Sequence, residues 1–85
     1  MTKLDKAKER LKSIPKNYTY SEARYLLRQL GFQESNKGKT SGSRVKFFRP
    51  YDGETILLHK PHPSDTMAYK SVFGLSKFLQ RIGEL

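Results

Sequence analysis

An α+β fold, with a three-stranded antiparallel sheet carrying helices on one face, is predicted by three observations. Apolar residues recur at spacings of three and four in stretches near both ends of the chain, the period of helices. Two six-residue runs rich in strand formers, Arg44-Val45-Lys46-Phe47-Phe48-Arg49 and Thr55-Ile56-Leu57-Leu58-His59-Lys60, flank the turn signal Pro50-Tyr51-Asp52-Gly53. Gly31 and Phe32 mark the passage from a helical stripe to an extended segment. The order is α-α-β-β-β-α. Such a sheet cannot bury a face alone, so two helices laid on it would form a two-layer sandwich.

Each element has its own warrant. Leu4, Ala7, Leu11 and Ile14 make one stripe, predicting a helix over residues 3–14 that Pro15 stops. Residues 15–20 connect it to a second helix. There Ser21 is the expected N-cap, Glu22 suits the first turn, and Ala23, Leu26, Leu27 and Leu30 form the buried face. Gly31 supplies the left-handed C′ position. Residues 32–37 read as a short strand and residues 38–43 as a basic glycine loop. Pro61 and Pro63 end the sheet. Ser64 or Thr66 is expected to cap a last helix carrying Ala68, Val72, Leu75, Leu79 and Ile82. Gly74 costs up to about 1 kcal/mol in that helix, and close packing on a neighbour is the expected reason. Gly83 ends the helix. Residues 1–17 are read as a helical extension and residues 18–85 as the core domain.

The hairpin register follows from its pattern. If four turn residues are unpaired, Arg49 faces Glu54, Phe47 faces Ile56 and Val45 faces Leu58. The apolar four then lie toward the helices. Arg44, Lys46 and Phe48 share the other face with Thr55, Leu57 and His59, and Arg44 stands opposite His59. A slip by one residue would bury Lys46 and His59, which is costly.

Charge is the strongest compositional signal. Seventeen basic residues against eight acidic ones leave +9, with +4 in residues 1–16 and +4 in residues 36–60. Such a surplus raises encounter rates with polyanions and equally serves solubility. It does not by itself separate RNA from DNA, lipid or an acidic protein. The absence of cysteine excludes disulfides and thiolate metal sites and fits a reducing compartment. No apolar run reaches the roughly 20 residues of a membrane span, and the N-terminus has no apolar signal core. A cytoplasmic protein is expected.

No cluster with metal-ligand spacing, Ser-His-Asp set, P-loop or dinucleotide fingerprint is present, so no metal or cofactor is expected. Metal-free RNA cleavage needs a base for the 2′-hydroxyl, a cation for the phosphorane, and an acid for the leaving 5′-oxygen. His59 and His62 are the only imidazoles, and His62, between two prolines, reads first as part of a rigid connector. RNA contacts are expected from Lys37 and Lys39 of the loop, Arg49, Lys60 and His62.

The succession Tyr20-Ser21-Glu22, Leu26-Leu27, Leu30-Gly31-Phe32, Gly38-Lys39, Gly42-Ser43, Arg44-Val45-Lys46-Phe47, Asp52-Gly53 and Pro61-His62-Pro63 resembles HicA-type toxins over roughly residues 18–83. The resemblance implies a double-stranded-RNA-binding-domain-like fold. It also implies mRNA cleavage, and inhibition by a HicB-type antitoxin that covers the active face. The family carries a catalytic His just after the Gly-Ser pair. Here Arg44 stands in that outward position, and the helix over residues 3–14 is an addition to the family core. On this reading His59, across from Arg44, takes over the proton work. Arg44 and Lys46 hold the scissile phosphate, and Ser43 donates to it. A non-catalytic RNA-binding module, with Phe48 or Tyr51 stacking on bases, and a purely protein-binding role are the alternatives. The first helix either completes the core or extends a contact through its lysines.

Overall fold

The computed structural model describes residues 2–35, 44–61 and 63–85. The elements are α1 (Lys3–Lys12), α2 (Tyr20–Gln29), β1 (Gln33–Ser35), β2 (Arg44–Arg49), β3 (Glu54–His59) and α3 (Tyr69–Arg81), an α+β chain in the expected order. The sheet is antiparallel with order β1-β2-β3. Among the described residues no helix is long and apolar enough to cross a membrane.

Local chemistry sets the helix ends. Thr2 and Asp5 form a capping box on α1. The helix stops at Lys12, two residues short of the expected end. Ile14 precedes Pro15, which disfavours helical backbone, and it takes φ +48° instead. The N-cap of α2 is Thr19, not Ser21: Thr19 accepts from the Glu22 amide and Glu22 reaches back to the Thr19 amide. The Ser21 amide instead donates to Asp65 at 3.1 Å. Gly31, at φ +95°, closes α2 with bonds from its own amide to Arg28 and from Phe32 to Leu27, the Schellman pattern. Gly83 repeats it on α3, where Glu84 donates to Leu79.

The last helix starts later than expected. Ser64 and Thr66 do not cap it; Ala68 occupies the N-cap without a side-chain bond. The preceding connection is tied to the entry of α2, with Tyr20 donating to the Asp65 carbonyl at 2.8 Å and Met67 to that of Tyr18 at 2.9 Å. This ties residues 65–67 to the entry of α2, with Thr66 bridged to Thr19, and postpones the helix. Among the described residues Gly74 has no neighbour close to where a Cβ would stand, so the expected tight packing on one of them is not its reason.

One core joins all layers. Phe47, Val45 and Leu58 from the sheet meet Leu26 and Leu27 of α2 and Val72, Leu75 and Leu79 of α3. Leu11 of α1 is fully buried in the same core. α1 packs on both α2 and α3, and ion pairs Arg10–Glu22 and Lys8–Glu84 rim the contact. Of its two expected uses, completing the core is the one this packing displays.

Candidate nucleic-acid interface

The register of β2 and β3 is the expected one: Arg44 pairs with His59, Lys46 with Leu57, Phe48 with Thr55 and Arg49 with Glu54. Side chains alternate across a strand, so the even residues of β2 point away from the helices. Their burial alternates accordingly, with Arg44, Lys46 and Phe48 outward and Val45, Phe47 and Arg49 inward. On β1, Gln33 pairs with Phe48 and Ser35 with Lys46, which adds both to the outer face.

The outer face therefore presents Gln33 and Ser35, then Arg44, Lys46 and Phe48, then Thr55, Leu57 and His59. Directly paired residues bring their Cβ atoms to about 4.5–5.5 Å, so Arg44 and His59 leave the sheet side by side on this face. Arg44, Lys46 and His59 are all exposed. Lys46 Nζ stands 5.9 Å from the centre of the Phe48 ring, and Leu57 is 53 % exposed. Among the described residues this face carries no carboxylate.

The carboxylates are engaged elsewhere. Asp5 caps α1 and Asp65 bonds the Ser21 amide. Glu9, Glu22, Glu34, Asp52, Glu54 and Glu84 all form ion pairs. Glu34 and Glu54 lie on the strands but take the inward parity. Glu34 accepts from the Tyr20 hydroxyl at 2.8 Å and pairs with Arg24. Burial first, then this bond, pushes the Tyr20 phenol up.

Arg49 requires a correction. Expected among RNA contacts, it is 2 % exposed and turned inward. Its guanidinium pairs with Asp52 and Glu84, each at 2.7 Å, donates to the Leu30 carbonyl at 3.2 Å, and lies between the rings of Phe32 and Tyr51. The Arg49 hydrogen bond holds the Asp52 carboxyl below its usual range, and Asp52 in turn raises the guanidinium. Arg49 shares parity with Phe47 and Val45, a signal already visible in the pattern and outweighed by its charge.

Lys60 is exposed just past β3. Its charge helps hold the Asp65 carboxyl low, behind the larger effect of bonds from Ser21. It belongs to the side of the connection rather than to the outward row. Tyr51, an expected stacking residue, is 77 % exposed but sits at the turn over Arg49. Ser43, Lys37, Lys39 and His62 lie outside the described residues.

What the outer face can do chemically follows from its parts. Two cations can bind phosphate oxygens, an imidazole can accept or donate a proton, and an exposed aromatic ring offers a stacking surface. Compared with known proteins, the chain matches no family model, no curated protein and no solved structure.

Proposed function

We propose that this chain is a cytoplasmic RNA-cleaving toxin of the HicA type, partnered by a HicB-type antitoxin and acting through the outer face of its sheet. The observation that carries the reading is the composition of that face: Arg44, Lys46 and His59 gathered by register, exposed, with no carboxylate among the described residues to repel a phosphate. RNA rather than DNA is the substrate because an imidazole beside a phosphate-binding pair suits attack by a ribose 2′-hydroxyl. His59 takes that proton, and the 2′-oxygen forms a bond to phosphorus. Arg44 and Lys46 stabilise the phosphorane, with Ser43 donating to the same phosphate. The bond to the 5′-oxygen breaks, and water protonates the leaving group.

The test is labelled RNA incubated with purified protein in EDTA, beside His59→Ala. Cleavage that falls by at least about a hundredfold in the variant, with an unchanged melting temperature, is the expected result for loss of a proton-transfer group. Full activity in the variant removes His59 from the mechanism.

A second reading, an RNA-binding module without cleavage, is favoured by Phe48 and Leu57. Both are exposed in the middle of the face, where a base could stack beside the two cations. Binding of RNA without cleavage products from the wild-type chain would select it.

A further inference from the structure

β3 is an edge strand of six residues, twice the length of the opposite edge strand β1. Exposed edges invite pairing, and proteins blunt them with lysine, proline, bulges or covering segments. Glu54–His59 contains neither lysine nor proline, and among the described residues no strand pairs with its outer edge. α3 runs antiparallel beside it: Arg81 meets Glu54 at one end, and Ser71 shares a groove with His59 at the other. That groove, of about 210 Å³, has Leu57 and Gly74 among its walls.

Gly74 connects these facts. It sits in the middle of a 13-residue helix, where glycine costs about 1 kcal/mol, and among the described residues nothing beyond its own helix backbone lies within 4 Å of the missing Cβ. The space it leaves opens beside the β3 edge. We infer that the edge of β3, with the notch over Gly74, binds an extended acidic segment of a partner protein by strand addition.

The chemistry selects this occupant. An unpaired strand edge offers alternating amide and carbonyl groups, which another peptide backbone matches and a nucleic acid does not. Lys70 and Lys77 flank Gly74 at i−4 and i+3, both exposed, with Arg81 one turn further on. A second copy of this chain would bring two molecules of +9 together. An incoming strand lies about 4.8 Å from β3, so alternate side chains drop toward Gly74 while the others cover the exposed Leu57. Because His59 borders both groove and outer face, the occupant also crowds the candidate RNA site. That corollary rests on the RNA reading; binding at the edge does not.

The experiment pans a randomised display library of peptides about ten residues long against the full chain, with no RNA present. Enriched peptides should alternate apolar and acidic residues and should protect the amides of residues 54–59 from hydrogen exchange. Gly74→Leu, which fills the notch and favours the helix, should weaken the selected peptides at least about tenfold while leaving the melting temperature unchanged or higher. Lys70→Glu with Lys77→Glu should do the same. No enrichment, enriched basic peptides, binding indifferent to Gly74→Leu, or a homodimer abolished by Gly74→Leu would each overturn the inference. Competition between a selected peptide and RNA then reads the corollary separately.

Discussion

Arg44 and Arg49 begin and end the same strand, and they have opposite fates. Five residues apart, they fall on opposite faces of β2. Arg44 stands exposed beside His59. Arg49 is enclosed between two carboxylates, a carbonyl and two aromatic rings. The same guanidinium is exposed to water at one end of the strand and acts as an internal tie at the other. Parity on a strand, not charge, decides whether a basic residue faces water or the core.

The sharpest way to break this comparison uses adjacent phenylalanines. Phe47 is fully buried and Phe48 is 36 % exposed. Phe47→Ala should cost about 4 kcal/mol in urea unfolding, and Phe48→Ala under about 1 kcal/mol. Equal losses would mean that the sheet does not have one dry and one wet face.

The arginines give the next largest contrast. Arg49→Met should cost about 3 kcal/mol, because it leaves the Asp52 carboxylate without its partner and Glu84 with only the longer contact to Lys8, and Arg44→Met should stay within about 0.5 kcal/mol. A pH dependence accompanies the first. Arg49 holds the Asp52 carboxyl below its usual value, and Arg10 does the same for Glu22. Both contributions are present above the unfolded carboxylate range and are lost as pH falls through the lower folded values. Melting temperature should therefore drop on acidification below about pH 4. The drop should be shallower in Arg49→Met than in wild type. An identical acid limb in both proteins would show that the Arg49–Asp52 pair does not contribute.

A smaller effect is expected at Gly31. Its φ of +95° is unfavourable for any other residue, and an added Cβ would stand 3.4 Å from Cδ of Arg49. Gly31→Ala should cost about 1–2 kcal/mol through backbone strain, and the cost should shrink in the Arg49→Met background if the contact also contributes.

Much of this was legible in the sequence, for identifiable reasons. The hairpin register was readable because a four-residue turn ending in Asp-Gly joins two runs whose apolar alternation admits one cheap pairing. The same alternation places Arg49 inward, against what its charge in a basic segment suggests. The capping box at Thr19 was readable as Thr-x-x-Glu, and Ser21 competed only because it is nearer the apolar face. The late start of α3 was not readable, since it depends on bonds between residues 65–67 and the distant entry of α2. Gly74 stands out in the helical pattern, yet the groove beside it is formed with the distant strand β3. Of the candidate site, Arg44, Lys46 and His59 come together as the alternation implied; Ser43, Lys37, Lys39 and His62 are not among the described residues.

The most direct measurement is the salt dependence of RNA affinity for the wild-type chain and for Arg44→Ala combined with Lys46→Ala. If single-stranded RNA lies across the outer face, removing two phosphate contacts should lower the slope of log affinity against log salt by about 1.4 and weaken binding at every salt concentration. An unchanged slope and affinity in the double variant, with the fold intact, would contradict the assignment of that face to RNA.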